Sequence, residues 1–409
     1  MFDAKTIQKD FPQLTRTIHD KRIVYLDSTA TSLKPQSVID KENEYYTKYT
    51  ANVFRGIYTT SEEATAEYER TRELTAAFIG ASDASEVVFT RNTSESINIV
   101  AYSYLLNDFS KGDRIVSTIM EHHSNFVPWQ QLGAKKGIDV DIWYTTPEGT
   151  LDMGALEKLI TKRTKLLAVS AASNVLGTIT PIKEIVRTVK RLNPDCLVLV
   201  DAAQAAPHMP INVVDWGADF VAFSSHKMLG PTGIGVLWGK KVLLEAMSPF
   251  NYGGDMISEV HVDRTVFKSA PHKFEAGTPH IAGVIGFGAA IEYLTKIGMQ
   301  HIRDHEQALV SYAMEKFKDV EGLSYIGPKD PAIRGGVFAC TLKGSHPHDI
   351  AQILNEDNIC VRAGNHCAMP LHEHMGLSST ARASFYIYTT RDDIDALVEG
   401  FKKIKTLFA

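Results

Sequence analysis

The chain of 409 residues has few cysteines, no cluster of like charge and no long hydrophobic run. Its net charge is -5 and no cluster of lysine and arginine stands out, so nucleic acid is not an expected partner. No stretch approaches the ~18 apolar residues of a membrane span. Asp3 and Asp10 interrupt the N-terminal segment, where a signal peptide needs an unbroken apolar run. The sequence therefore predicts a cytoplasmic protein.

The four cysteines are too few to make a disulfide framework in a chain of this length, and a reducing compartment fits them. Cys196 opens the apolar run CLVLV and Cys340 lies within VFACTL, so both are predicted to be small core residues. Cys360, within NICVRA, is also predicted to lie in the core. Cys367 differs from these, because it lies in RAGNHCAMPLHEH (362–374) with three histidines and an arginine.

Length and hydrophobic pattern predict two domains. Between residues 20 and 290, short continuous apolar runs alternate with helical periods, which is typical of a parallel sheet buried on both faces. From about residue 290, amphipathic helices and alternating segments replace this pattern. We expect an α/β fold, with a large cofactor-binding domain of residues 21–292 and a smaller α+β domain of residues 1–20 and 293–409 that carries the Cys367 loop.

Polar residues follow several of the apolar runs. The ends of parallel strands share one edge of a sheet, and ligands bind beyond their carboxyl ends. We therefore expect these polar side chains to converge on one crevice. The runs are EVVFT (86–90), RIVSTIM (114–120), KLLAVSAAS (165–173), CLVLVDAAQ (196–204) and DFVAFSSHK (219–227), with GIGVLWG (233–239) after them.

Asp201 and Lys227 come after successive buried runs. Pyridoxal phosphate needs a lysine for its aldehyde and an acid for its pyridinium nitrogen. A lysine in such a place is suited to form a Schiff base, because desolvation lowers its pKa and frees the amine. Taken alone, Asp201 is equally typical of a helix cap or turn, and Lys227 of a solvated loop. The pair favours pyridoxal 5'-phosphate.

This cofactor also needs an anion site. Thr93 and Ser94 open a predicted helix, where N–H groups, hydroxyls and the positive end of the helix dipole favour a phosphate. Ser224 and His226 flank Lys227 and could add donors. Ordinary N-capping would also explain Thr93 and Ser94.

Taken together, these motifs resemble a SufS-type (group II) cysteine desulfurase, in the class V group of fold-type I pyridoxal-phosphate enzymes. The resemblance extends from YLDSTATSLKP (25–35) to the C-terminal helix. It implies a homodimer that converts L-cysteine to L-alanine and holds the sulfur as a persulfide for iron–sulfur cluster assembly. The motifs that carry it are SSHKMLGPTGIGVLWG, VDAAQA, MEHHSN, SNVLGT, FEAGTP and RAGNHCAMPL.

The resemblance implies a role for each cofactor-site residue. Lys227 would be the Schiff-base lysine and Asp201 the partner of the pyridinium nitrogen. Gln204 would bond the phenolic oxygen, and His123 would stack on the ring and shuttle protons. The phosphate would be held by Thr93, Ser94, Ser224 and His226.

The resemblance also implies the substrate site. Asn174, which adjoins the cofactor as well, and Arg382 in TARAS would bind the substrate carboxylate, with Arg362 nearby. Thr278 in FEAGTP would reach the phosphate of the other subunit. Cys367 resembles the persulfide-bearing nucleophile.

Two alternatives for Cys367 remain open, a metal ligand and an inert loop residue. A zinc site with Cys360 would need a spacing longer than structural sites use, so no metal is predicted. His366 is either a structural hydrogen-bonding residue or a group that tunes the thiol. His372 and His374 are predicted to lie at the surface.

The sequence departs from the resemblance at Phe54 and Asn365, where relatives often have histidine. Both positions lie near the active site in relatives, so substrate affinity or proton handling could differ. Arg55, which follows Phe54, could still approach the substrate.

Three rival functions remain. Selenocysteine lyase activity is the nearest, because selenium leaves more readily than sulfur and such activity need not use Cys367. Kynureninase-like or aminotransferase chemistry on the same scaffold would leave RAGNHCAMP without a role, and a non-catalytic sulfur or zinc carrier would leave the cofactor residues without one. The resemblance implies a sulfur acceptor of either the SufE kind or the zinc-bearing SufU kind. His346 and His348, in KGSHPHDI, weakly favour the SufU kind.

Overall fold

The computed structural model describes residues 3–105 and 107–408. Its strands, in chain order, are β1 (Thr17–Ile18), β2 (Lys21–Arg22), β3 (Val24–Tyr25), β4 (Val87–Thr90), β5 (Arg114–Thr118), β6 (Asp139–Trp143), β7 (Thr164–Ser170), β8 (Leu197–Asp201), β9 (Phe220–Ser224), β10 (Gly235–Gly239), β11 (Ile257–Val260), β12 (Thr265–Phe267), β13 (Leu323–Tyr325), β14 (Val337–Leu342), β15 (Ile359–Cys360), β16 (Arg362–Gly364) and β17 (Thr380–Ser384).

Helices occupy much of the remaining described chain, and short 3₁₀ turns connect several elements. The α-helices are α1 (Ala4–Ile7), α2 (Gln36–Lys48), α3 (Thr59–Ile79), α4 (Thr93–Val100), α5 (Val127–Lys136), α6 (Met153–Leu159), α7 (Ile182–Leu192), α8 (Val213–Trp216), α9 (Lys241–Ala246), α10 (Ile281–Ile297), α11 (Met299–Lys316), α12 (Pro347–Glu356), α13 (Met369–His374) and α14 (Arg391–Leu407).

The six predicted apolar runs all form strands of one seven-stranded sheet, in the order β4-β10-β9-β8-β7-β5-β6. The strands β9, β8, β7, β5 and β6 are parallel to one another, as predicted. Strand β10 instead runs antiparallel to both β4 and β9. The reason is that residues 225–234 form too short a connection for the crossover that a parallel strand requires.

Both faces of this sheet are buried, which explains why its strands are apolar without interruption. Along β8, Val198 and Val200 belong to one core cluster, whereas Leu199 lies in another on the opposite face. Helices α2, α3 and α10 pack together within the first cluster, and α4 and α5 contribute to the second. Full burial of one valine or leucine side chain contributes about 1.5–3 kcal/mol to the stability of the fold. The sheet is therefore a stable base for the residues at its edge.

The C-terminal part contains a second, four-stranded antiparallel sheet in the order β13-β14-β17-β16. Its core cluster includes buried residues of α11, α12 and α14. The predicted strands and closing helix of this part are therefore present. Helix α10 runs across residue 292, and the predicted domain boundaries stay a prediction.

Within the described ranges, no single helix has the length and apolar character needed to cross a membrane. Helix α10 and the segment Met299–Asp319, bent by 72°, pass that test of length and composition only as a pair.

Candidate active site

A cleft of about 210 Å³ lies beyond the carboxyl ends of the parallel strands. Polar residues after β5, β7, β8 and β9 line it together, as the sequence pattern predicts. The C-terminal part closes it with Arg362, His366 and Arg382. The other lining residues are Thr29, Ala30, Asn92, Thr93, Ser94, His122, Ser124, Ser170, Ala172, Asn174, Asp201, Ala203, Gln204, Ser224, His226 and Lys227.

Asp201 and Lys227 face this one cleft from neighbouring strands. Asp201 ends β8 and is 5% exposed, and its Oδ1 accepts the Ala203 N–H at 2.9 Å. Burial raises the pKa of Asp201, and the nearby Lys227 charge opposes this. Burial lowers the pKa of Lys227 to about 8. A lysine of this kind is a better nucleophile near neutral pH than a solvated one.

Four hydroxyl groups gather at the start of α4. Thr93 Oγ1 lies 2.5 Å from Ser224 Oγ, which also accepts the Thr93 N–H at 2.8 Å. Ser94 Oγ lies 2.5 Å from Ser124 Oγ. Glycine at position 235 allows β10 to lie close to the start of α4. A Cβ at this position would lie only 2.4 Å from the Asn92 carbonyl carbon. The arrangement provides the donors that a phosphate needs.

Arg382, on strand β17, lines the side of the cleft that the C-terminal part forms. It is 2% exposed, and its two terminal nitrogens donate to Asp27 Oδ1 and to the Asn174 carbonyl, each at 3.1 Å. Its Nε has no partner among the described residues. Arg362 lies on the adjacent strand, directly opposite Arg382 in register. Two guanidinium groups therefore make this end of the cleft suited to a carboxylate.

The structure revises the histidine prediction, because His122 rather than His123 lines the cleft. The chain passes from an extended residue at 122 into the 3₁₀ turn His123–Asn125, which sends adjacent side chains in different directions. The Ser124 N–H donates to His122 Nδ1 at 3.1 Å. Burial, with help from the Lys227 charge, lowers the pKa of His122 to about 3. This ring is therefore neutral at physiological pH.

Glu121 fixes the turn that carries His122. Its carboxylate is buried and accepts four hydrogen bonds. One comes from the Thr118 hydroxyl, one from the Asn125 amide, and two from the backbone N–H and hydroxyl of Ser170. Burial raises the pKa of Glu121 to about 7, against the effect of these donors. Because the network is fully hydrogen-bonded, the turn is held in one conformation.

Cys367 lies at the rim of the cleft, in a loop of unusual backbone conformation. His366 and Cys367 have φ values of 53° and 58°, which is the left-handed region. Each such residue costs roughly 1–2 kcal/mol relative to the right-handed conformation. The Arg362 guanidinium lies 4.0 Å from Cys367 Sγ.

The three histidines of this segment have different surroundings. His366 is 3% exposed and His372 only 1%, and the Nε2 atoms of both contact Thr380 Oγ1, at 2.9 and 3.1 Å. The prediction that His372 lies at the surface is therefore wrong, whereas His374 is exposed as predicted. The contact with the Thr380 hydroxyl on β17 holds the His372 ring in the interior. Among residues 3–105 and 107–408, no group of three or more His, Cys, Asp or Glu could hold a metal ion.

The other cysteines have no contact with the cleft. Cys196 and Cys340 are fully buried, which confirms their assignment to the core. Cys360 is half-buried on β15, paired with Tyr25, and burial raises its pKa. Cys360 therefore lies at the margin of the core rather than inside it.

Two residues with predicted roles, Arg55 for the substrate and Thr278 for the phosphate of the other subunit, lie away from the cleft of this chain. The Arg55 Nε pairs with Asp255 Oδ1 at 2.7 Å and the side chain is more than half exposed, so Arg55 does not line the cleft. Thr278 lines a separate surface pocket. Phe54 packs edge-on against Tyr68 and His272, at centroid distances of 5.5 and 5.3 Å. Asn365 is a half-buried residue whose carbonyl accepts the Ala368 N–H.

The residues Asp27, Thr29 and His122 were not predicted from the sequence. Asp27 and Thr29 come from the segment YLDSTATSLKP, which follows the short strand β3 rather than one of the long apolar runs. Only the tertiary contact between this segment and β17 reveals them.

The unpartnered polar atoms of the cleft fit pyridoxal phosphate. Gln204 donates its Nε2 hydrogen to the Thr29 carbonyl at 3.0 Å, while its Oε1 and the Thr29 hydroxyl are buried without a partner among the described residues. Buried polar atoms are rarely left unsatisfied in the active form of a protein. With a lysine, an acid and a hydroxyl cluster in one cleft, these atoms match a small polar aromatic cofactor.

The chain belongs to the aminotransferase class-V family, which matches residues 24–397. A probable cysteine desulfurase of Streptomyces coelicolor is 47% identical over 100% of this chain and 98% of its own length. A cysteine desulfurase of Yersinia pestis is 44% identical, over 99% of each chain.

Solved structures agree with this assignment. The apo structure of a cysteine desulfurase from Thermococcus onnurineus has a TM-score of 0.93 at 40% identity, covering 98% of this chain and 97% of that one. The cysteine desulfurase CsdA of Escherichia coli has a TM-score of 0.92 at 37% identity, with both chains fully covered. The predicted fold, the enzyme class and pyridoxal phosphate as cofactor are thereby confirmed.

The depressed pKa of Lys227 predicts how cofactor binding depends on pH. Only the neutral amine attacks an aldehyde, and its fraction rises as pH increases through the folded pKa of about 8. The rate at which cofactor-free protein binds pyridoxal phosphate should therefore reach half of its maximum near pH 8 and then level off. Stopped-flow absorbance at several pH values measures this rate, with free Nα-acetyl-lysine as the control. A rate that keeps rising to the ordinary lysine value of 10.5 would contradict the burial argument.

Proposed function

We propose that the protein is a pyridoxal-phosphate-dependent cysteine desulfurase, which converts L-cysteine to L-alanine and holds the sulfur as a persulfide on Cys367. The observation that carries this proposal is the position of Cys367. Its sulfur lies 4.0 Å from Arg362, a residue that lines the same cleft as Asp201 and Lys227. Aminotransferase or kynureninase-like chemistry has no use for a thiol there.

Bound pyridoxal phosphate would supply an electron sink for the carbon atoms of the substrate. Lys227 would hold the cofactor covalently and Asp201 would pair with its ring nitrogen. Gln204 and Thr29 would bond its polar edge. The phosphate would be held by Thr93, Ser94, Ser224 and His226.

The chain's own residues would then act on the substrate. The fork of Arg382 would pair with the substrate carboxylate, beside Asn174 and Arg362. Once the substrate amine has displaced Lys227 from the cofactor, the freed neutral amine of Lys227 would remove the Cα proton. The Cys367 thiolate would attack the substrate sulfur, forming a sulfur–sulfur bond as the Cβ–Sγ bond breaks. The electron pair left on Cβ would take up a proton to give the methyl group of alanine. We assign proton transfer to His122, because it lines the cleft and is neutral.

The proposal is tested by treating the purified protein with L-cysteine, without reductant, and measuring the mass of its Cys367 peptide. We expect one extra sulfur on that peptide, together with one alanine released per chain. The Cys360 peptide of the same sample is the control and should stay unmodified. Alanine release without sulfur on Cys367 would refute the role of Cys367.

Arg382 provides an independent prediction. Replacing Arg382 with lysine keeps the charge but removes the planar fork, so the KM for L-cysteine should rise about 10- to 100-fold. Steady-state alanine production measures this change. Replacing Arg391 with lysine is a matched control, because Arg391 lies on α14 over the Tyr312 ring and should leave KM unchanged. An Arg382→Lys enzyme with a normal KM would place the carboxylate elsewhere.

The remaining assignments concern assembly and location. We propose a homodimer in which Thr278 and Arg55 complete the site of the other subunit, since both lie away from the cleft of their own chain. We also propose the two-domain division at residues 21–292, and a sulfur acceptor of the SufU or SufE type that serves iron–sulfur cluster assembly. The four cysteines are unpaired, which supports a cytoplasmic location.

A further inference from the structure

The backbone of the Cys367 loop is held by hydrogen bonds from both parts of the fold. Each carbonyl from 365 to 368 accepts at least one. Asn174 Nδ2 donates to the His366 carbonyl at 2.7 Å, and the His123 N–H donates to the Cys367 carbonyl at 2.7 Å. The Asn365 carbonyl accepts the Ala368 N–H, and the Ala368 carbonyl accepts from His372. This is a fixed loop rather than an open one.

His123 makes a second bond to the same loop. The Met369 N–H donates to His123 Nε2 at 3.0 Å. Met369 is the first residue of α13, where N–H groups have no partner within the helix. Ala368 at the N-cap has no side-chain acceptor, and Pro370 has no N–H. The imidazole of His123 therefore caps this helix from another part of the chain.

An apolar contact supports the same junction. Ala368 and Leu371 are buried in a small cluster with Ile119, Met120 and Leu176, which come from the loops after β5 and β7. His123 follows Met120 by three positions. The cleft histidine His122 and the loop histidine His123 thus lie side by side on one turn, which Glu121 anchors.

We propose that His123 is a positioning residue, which holds Cys367 in its left-handed conformation at the rim of the cleft through its two hydrogen bonds to residues 367 and 369. His122 and His123 would then divide the work, with one ring facing the reacting atoms and the other fixing the nucleophile. The effect on turnover rests on the proposed desulfurase function, but the effect on loop order does not.

The experiment compares His123→Ala and His123→Gln in the cofactor-loaded protein. Glutamine keeps an oxygen acceptor near the position of Nε2, whereas alanine does not. Amide hydrogen exchange, resolved to single residues by mass spectrometry, should show Met369 exchanging at least about tenfold faster in His123→Ala, because an unbonded exposed amide loses its protection. Exchange in His123→Gln should stay close to that of the unmodified protein. His374→Ala is the matched control, since His374 lies on the same helix and its ring packs against the Tyr144 ring.

Activity gives a second readout. In His123→Ala, kcat for alanine release should fall about tenfold or more with little change in KM, because a misplaced nucleophile does not weaken substrate binding. His123→Gln should restore most of kcat. Unchanged Met369 exchange in His123→Ala, or equally fast exchange in both variants, would overturn the proposal. Faster exchange in a protein that releases no alanine even when unmodified would support the loop contact and refute the desulfurase function instead.

Discussion

Replacing Lys227 with alanine is expected to lower alanine production from L-cysteine by about a thousandfold or more, because the side chain is both the cofactor anchor and the base. The variant should also lose the visible colour of bound pyridoxal phosphate after gel filtration. The buried position of the amine supports this, since burial lowers its pKa to about 8. Absorbance and a coupled alanine assay measure the two effects.

A surface lysine provides the control for this substitution. Lys240 is partly exposed and pairs with Asp219 at the far end of the same sheet. Lys240→Ala should keep both colour and activity. In Lys227→Ala, methylamine added together with pyridoxal phosphate should restore part of the activity, because a small amine fits the space left by the side chain. A colourless variant with normal turnover would refute the cofactor assignment, and so would a fully active coloured one.

The fold could be predicted from sequence because its strongest signal is local. A strand buried on both faces must be apolar at every position, as Leu197–Asp201 and Phe220–Ser224 are up to their last polar residue. The polar residues after these strands then converge, because parallel strands end at one edge. Asp201, Gln204 and Lys227 were therefore predictable as a set.

Side-chain direction was not predictable in the same way. His122 and His123 are adjacent, and only the backbone of the turn decides which ring enters the cleft. His372 was expected at the surface, but α13 is too short for a hydrophobic period to mark its buried side. Its partner Thr380 is close only because β17 passes beneath the helix.

Long-range ion pairs were also beyond the sequence. Arg55 pairs with Asp255, and Arg382 with Asp27, and each pair joins residues about two hundred or more positions apart. Nothing in the local pattern of either arginine indicates its partner. The dimer assignments of Arg55 and Thr278 depend on a second subunit, so they stay predictions.

Replacing Cys367 with serine should abolish desulfuration of L-cysteine, with alanine production falling by at least about 10⁴-fold, as expected when a nucleophile is removed. Serine has nearly the same size and can keep the loop hydrogen bonds, which involve the backbone of residue 367. A hydroxyl, however, is a far weaker nucleophile than a thiol. Cofactor colour should be retained, which separates this loss from that of Lys227→Ala.

The same variant distinguishes the desulfurase from a selenocysteine lyase. Selenium leaves carbon more readily than sulfur, so release of selenium from L-selenocysteine should survive in Cys367→Ser while sulfur transfer does not. Cys360→Ser is the matched control, because Cys360 is half-buried and lies outside the cleft. It should remain active on both substrates. If Cys367→Ser still produced alanine from L-cysteine at the normal rate, the sulfur would not pass through Cys367, and the left-handed loop with its neighbouring Arg362 would need another explanation.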